Sequence, residues 1–314
     1  MKKSAPNASQ TQGLVRIGPA GWSYPDWNGY VYPTRRPKGF HEASFLADYF
    51  DTIEINTSFY QPLRPDHAAL WVERVSNNQR FQFTAKLWQR FTHEPGGTKD
   101  DEIAVRAGFD ALRKAERLGA VLLQFPFSFH ATSDSQDHLA KVLARFSDYP
   151  LAVELRHGSW QTTETLDLFR KHDVAFCNID QPIIGHSLQP SAEVTSRLGY
   201  ARLHGRRYDT WFDDNPETSS HQRYNYLYSL KELDPWASRI RSIEDRADNT
   251  YVITNNHYLG KAAVNALQLI SILKRTRVKV PEPLRRHYPE LEKIADEMPA
   301  EPMLFPMGIP PGKK

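Results

Sequence analysis

The heptapeptide LAVELRH, residues 151–157, carries two chemistries on alternate positions. Side chains of a strand point in turn to its two faces. Leu151, Val153 and Leu155 make one apolar set, and Ala152, Glu154 and Arg156 make the other. Such a strand is covered by helices on one side and meets a polar interior on the other. Comparable runs recur: VRIGPA (15–20), TIEIN (52–56), RFQFTAK (80–86), AVLLQF (120–125), VAFCNID (174–180), YARLHG (200–205) and TYVITNN (250–256). Between them lie helical patterns at 42–50, 66–75, 100–118, 137–146, 162–171, 222–241 and 262–274, while the segment near 191–198 is short. Strands alternating with helices call for a parallel sheet with crossover helices. Eight such units predict a single-domain α/β protein, a closed (β/α)8 TIM barrel. No GxGxxG follows the first strand, so the usual cue for an open dinucleotide-binding sheet is missing.

The chain has 314 residues, 40% of them hydrophobic, enough for one large core. Residues 13–280 are read as the barrel domain. Residues 1–12 hold two lysines with no apolar run behind them, which reads as a disordered leader rather than a signal peptide. Residues 281–314, rich in Pro, Glu and Lys with an apolar cluster at 303–305, read as an extended tail. No stretch approaches the roughly 18 apolar residues of a spanning helix, so no membrane partner is expected. Cys177 is the only cysteine; it excludes an intramolecular disulfide and a CxxC metal cage, and suits a reducing, cytoplasmic setting. Forty basic and 37 acidic residues leave a formal charge of +3. That balance predicts no strong general attraction to nucleic acid, so an anion site would have to be local.

Parity places Thr52, Glu54 and Asn56 inward, with Gln82, Thr84 and Lys86, then Leu122 and Gln124. Tyr200, Arg202 and His204 follow, and Asn178 with Asp180 are assigned inward in the same way. Barrel interiors are normally filled by branched apolar side chains, and active sites sit at the C-terminal ends of the strands. Burying this many charges is costly unless they are paired, and sequences depart from such rules chiefly at functional sites. The bland alternative is a neutral structural network, with three acids (Glu54, Glu154, Asp180) against three cations (Lys86, Arg156, Arg202).

The runs IGPAGWSYPDWNG, IEINTSFY, AVELRHGSW, RLHGR and NNHYLGKAAVNA, in this order across 13–273, resemble the YecE-like family, domain of unknown function 72. The resemblance implies a TIM barrel and brings no established reaction. It marks Gly21, Trp22, Glu54, Asn56, Phe59, Tyr60, Lys86, Gln124, Glu154, Arg156, Trp160, Asp180, Arg202, His204, Gly205, Asn256 and His257 as recurring positions. Pro19 stands where the resemblance implies Thr or Ser, and Gly158 where it implies Pro.

Three chemistries fit these residues. Glu54, Glu154, Asp180, His204 and His257 are suitable ligand types for a metal-dependent hydrolase or isomerase of the xylose-isomerase or endonuclease type. No tight HxH or HExxH spacing supports this, and Lys86, Arg156 and Arg202 would crowd a cation. Metal-free acid–base work would use Glu54 and Glu154 as paired carboxylates, His204 or His257 as proton carrier, and Lys86 as a base or Schiff-base nucleophile. Anion recognition would use Arg206 and Arg207 after strand seven and Lys261 before the last barrel helix. Trp22, Tyr24, Trp27, Phe59, Tyr60, Trp88, Tyr208 and Trp211 gather near strand ends, where aromatic faces beside cations suit sugar rings or nucleobases, although Trp22 and Trp160 read as packing.

The expectation is an enzyme acting on a phosphorylated sugar, nucleotide or nucleic-acid fragment. Its catalytic groups would be Glu54, Glu154, Lys86, His204 and His257. Substrate would be held by Trp22, Asn56, Tyr60, Gln124, Arg156, Asp180, Arg202, Arg206 and Asn256, with no metal and no cofactor. The rival class is a non-catalytic module for a nucleotide or single-stranded nucleic acid. Oligomeric state is not legible.

Overall fold

Eight parallel strands form the barrel in a computed structural model, which describes residues 13–94, 96–209, 211 and 220–296. The leader at 1–12 and the apolar cluster at 303–305 lie outside the described residues. The strands are β1 (Leu14–Pro19), β2 (Thr52–Ile55), β3 (Gln82–Lys86), β4 (Leu118–Gln124), β5 (Leu151–Glu154), β6 (Ala175–Asp180), β7 (Leu198–Leu203) and β8 (Asn249–Thr254). Neighbours pair in the order β1-β8-β7-β6-β5-β4-β3-β2. The seam between β1 and β2 is bridged only at Ala20 and Glu54, where the Gly21 N–H donates to the Glu54 carbonyl at 2.8 Å. Gly18 allows that approach, because a Cβ there would lie 1.9 Å from the Thr52 carbonyl oxygen. The barrel is therefore nearly closed, and the (β/α)8 fold read from strand count is the one observed.

The helices start where local chemistry places them. α1 (Glu42–Ala47), α2 (Pro65–Arg74), α3 (Lys99–Lys114), α4 (Ser133–Arg145) and α5 (Thr163–Lys171) follow the first five strands. Thr98 and Asp101 cap α3 reciprocally, satisfying two amide groups that a helix start leaves open. No helix lies between β6 and β7, where the described segment is irregular. The predicted helix over 222–241 is interrupted: a single turn, α6 (Ser220–Arg223), is followed by α7 (Leu230–Glu244). The break falls where Ser229 and Glu232 form a capping box that begins a new helix. α8 (Lys261–Lys274) returns to the barrel, buried along most of its length. Past Pro281, α9 (Glu282–His287) and a 3-10 turn at Pro289–Lys293 occupy part of the stretch read as an extended tail. Leu284 and Leu291 are fully buried there, which anchors this segment to the domain. No helix among the described residues is long and apolar enough to cross a membrane.

Register resolves which side chains enter the barrel, since residues paired across parallel strands share a face. Glu54 pairs with Thr84, Lys86 with Leu122 and Gln124 with Glu154, all inward as parity implied. On β6, however, Cys177 is level with Tyr200 and Ile179 with Arg202, while Asn178 and Asp180 are level with Ala201 and Leu203. The inward set of β6 is thus Cys177 and Ile179, and Asn178 with Asp180 face away from the axis. Alternation gave the wrong face there because this strand is apolar on both sides. Asn178 instead ties down the β6–β7 segment: its amide donates to the Glu193 carbonyl and its oxygen accepts from Ser191 and the Glu193 N–H.

Candidate functional site

Three polar layers fill the barrel. At the floor, Arg16 donates to the Arg80 carbonyl and to Asn249, beside Tyr251. In the middle, the Tyr200 hydroxyl bridges Glu54 Oε2 at 3.0 Å and Thr84 Oγ1 at 2.9 Å. At the C-terminal ends, Arg202 joins the network together. Its Nη2 donates to Glu54 Oε1 at 2.7 Å, and its Nη1 donates to Glu154 Oε2 and to Gln124 Oε1. Arg202, Glu54 and Glu154 are fully buried. Arg156 adds a second cation, with Nε 2.9 Å and Nη2 2.8 Å from Glu154 Oε1, and lies over the Trp211 ring. Burial alone would raise the Glu154 carboxyl, but Arg202, His204 and Arg156 hold it well below the usual carboxylate range.

His204 completes the layer as a neutral ring. Asn255 Nδ2 donates to its Nδ1 at 3.0 Å, which leaves the ring proton on Nε2, 3.3 Å from Glu154 Oε1. Burial is the main reason its pKa falls to about 3, with Arg202 adding to the shift and Glu154 opposing it.

Lys86 differs from its neighbours. Its Nζ pairs with Glu54 Oε1 at 3.9 Å, beyond hydrogen-bond reach, and donates no hydrogen bond to any described residue. It sits 5.5 Å above the Phe59 ring with its side chain 11% exposed. Burial, then Arg202, lowers its pKa to about 8, against the pull of Glu54 and Glu154.

Of the residues singled out from sequence, Glu54, Lys86, Gln124, Glu154, Arg156, Arg202 and His204 share this cluster. Asn56 and His257 form an adjoining wall through Tyr24: Asn56 Nδ2 donates to the Tyr24 hydroxyl at 3.3 Å, and His257 stacks on the Tyr24 ring at 4.3 Å. Asn56 Oδ1 is buried and accepts nothing from the described residues. Tyr60 stands on the rim, 68% exposed. The others lie elsewhere. Asp180 receives Arg206 Nε at 3.0 Å, and Arg206 also reaches Glu232, so both are spent outside the cluster. Asn256 donates to Asn265 and to the Tyr226 carbonyl. Trp22 packs edge-on against Trp71, and Trp160 donates to the Phe129 carbonyl. Of the loop cations, Arg207 pairs with Asp209 and Lys261 with Asn225. No three His, Cys, Asp or Glu side chains converge as a metal site among the described residues, so the ligand types named for a metal reading do not form a donor set.

Sequence reasoning missed His93. It stands at the rim edge-on to Phe59, and burial with the charge of Arg156 lowers its pKa to about 4. It lies in an irregular loop where no periodicity marks it. Gly158 also has a visible use: its N–H donates to the His186 carbonyl at 2.6 Å, a bond that Pro at this position could not make.

Residues 16–289 match the family described as "Protein of unknown function DUF72". The chain belongs to the DUF72 family. It is 27% identical over 279 residues to the UPF0759 protein YunF of Bacillus subtilis, covering 83% of this chain and 95% of that protein. The crystal structure of a DUF72 protein from Thermotoga maritima is 31% identical with a TM-score of 0.73, over 83% of this chain and 99% of that one. A DUF72 structure from Enterococcus faecalis, 24% identical with a TM-score of 0.74 over 83% and 96%, shares the fold. For a DUF72 barrel, then, the chemistry has to be argued from the residues at the strand ends.

Proposed function

We propose that the protein is an enzyme performing acid–base chemistry on a small anionic substrate, a phosphorylated sugar or nucleotide, at the C-terminal end of the barrel. One observation carries this reading. With Asp180 turned outward to Arg206, the described residues of the cluster are two carboxylates, Glu54 and Glu154, against three cations, Lys86, Arg156 and Arg202. The balanced network of three acids and three cations does not form at this site, and the surplus positive charge favours an anion.

The geometry redistributes the roles. Both oxygens of Glu154 and both of Glu54 already accept from Arg202, Arg156 or Tyr200, so the carboxylates fix the cations rather than move protons. Lys86, which donates no hydrogen bond to the described residues and has its pKa lowered to about 8, is the group left to react. Arg156, 16% exposed, binds Glu154 through Nε and Nη2 and keeps its Nη1 donors for the anion. His204, its N–H turned toward Glu154, helps to hold that carboxylate, and Asn56 Oδ1 accepts from a substrate hydroxyl.

The test is a thermal-shift and calorimetric panel of inorganic phosphate, ribose 5-phosphate and adenosine monophosphate. The expected result is stabilisation by the phosphate-bearing compounds that is lost in Arg156→Gln. A protein indifferent to all three would overturn the reading. Affinity for single-stranded DNA that falls steeply with salt would replace it with nucleic-acid binding.

A further inference from the structure

We propose that Lys86 forms a covalent imine with the carbonyl group of its substrate, which makes that substrate an aldehyde or ketone carrying a phosphate; the anionic half of this statement rests on the function proposed above. The inference starts from position. Lys86 ends β3, so its side chain enters the barrel at the mouth and not at the floor. The backbone is fixed by the ladder, with Lys86 level with Leu122 of β4. Phe59 lies under the amine, Glu54 is near without bonding it, Arg202 donates to the same Glu54 oxygen, and Arg156 is bound to Glu154.

No described residue accepts a hydrogen bond from that ammonium, and burial disfavours its charged form. The contrast with Lys261 is direct, because the amine of Lys261 donates to Asn225. An amine adds to carbonyls only when it is neutral, and surrounding cations with low polarity favour that form. The pKa of about 8 agrees, leaving about a quarter of Lys86 neutral at pH 7.5.

The step balances without any added oxidant or reductant. The Lys86 lone pair attacks the carbonyl carbon, and the C=O π pair moves onto oxygen. The proton lost from nitrogen passes to that oxygen, giving a carbinolamine. One further proton from solvent lets the oxygen leave as water, while the nitrogen lone pair forms the C=N bond. The product is a protonated imine, one positive charge in the place of the ammonium. Glu54 Oε1, 3.9 Å from Nζ in the free protein, offsets that charge, and Arg156 remains for the phosphate.

Pyridoxal 5′-phosphate is a suitable probe, since it joins an aldehyde, a ring and a phosphate. The full chain is incubated with it, reduced with borohydride and mapped by peptide mass, with stabilisation by inorganic phosphate measured in parallel. Label on the Lys86 peptide at about tenfold or more the level on exposed lysines, suppressed by excess phosphate, is the expected result. Pyridoxal without its phosphate should label Lys86 far less. Label spread over lysines according to exposure, with phosphate stabilisation intact, would overturn the imine and leave the anion site standing. Even labelling with no phosphate stabilisation would overturn both.

Discussion

Two charge networks in this barrel look alike on paper and differ in what they leave undone. One lies between α3, α4 and the loop before β5. There Glu102 accepts Arg106 Nε at 2.7 Å, Arg145 Nε at 2.8 Å and Lys99 Nζ at 3.1 Å, and Arg106 also holds Asp148. Burial pushes the Glu102 carboxyl up, and those three cations bring it down to about 2. The other is the interior network of Glu54, Glu154 and Arg202, where Glu154 is likewise held low. A depressed carboxyl therefore does not separate a site from a brace. In the outer network the cations have bonded partners; in the inner one Lys86 has a charge partner and donates no hydrogen bond to a described residue.

The comparison breaks most severely at Arg202. Arg202→Met leaves Glu54 and Glu154 facing each other without their shared cation, and an expected loss of about 3–5 kcal/mol should appear in urea unfolding. A loss below about 1 kcal/mol would mean that the carboxylates are not paired as described. Asp180→Asn comes next. It loosens Arg206 at a cost of about 2 kcal/mol while leaving phosphate stabilisation unchanged; a lost phosphate response would put Asp180 back in the site. Arg106→Ala, in the outer network, should cost about 1 kcal/mol, as a partly exposed pair does, with most of that loss masked in high salt.

Lys86→Met differs from these in sign and in its dependence on pH. The folded pKa of about 8 lies below the ordinary 10.5, so between these values the unfolded chain binds the extra proton and the wild type gains stability as pH rises. Below pH 8 the cost of the buried ammonium is fully present. The variant should thus be more stable relative to the wild type at pH 7 than at pH 10.5, with the change falling between pH 8 and 10.5. A difference that stays constant with pH would show that Lys86 is an ordinary paired ammonium.

Much of this is legible in the sequence. Eight short apolar runs separated by helical patterns specify the barrel, because a strand apolar on one face needs a helix to cover it. Alternation also brought Glu54, Lys86, Gln124, Glu154, Arg202 and His204 to one interior, since a two-residue period is a local property of extended chain. Three things were not legible. The face of β6 depended on its register against β7, so Asp180 was counted with the wrong partners. His93 comes from a loop whose position depends on what it packs against. The third is the state of Lys86. Sequence supplies an amine of ordinary basicity, whereas its lowered pKa depends on atoms from β2, β3, β5 and β7 meeting at one place. Local alternation determines which residues face inward; only tertiary packing decides which of them are left with something to do.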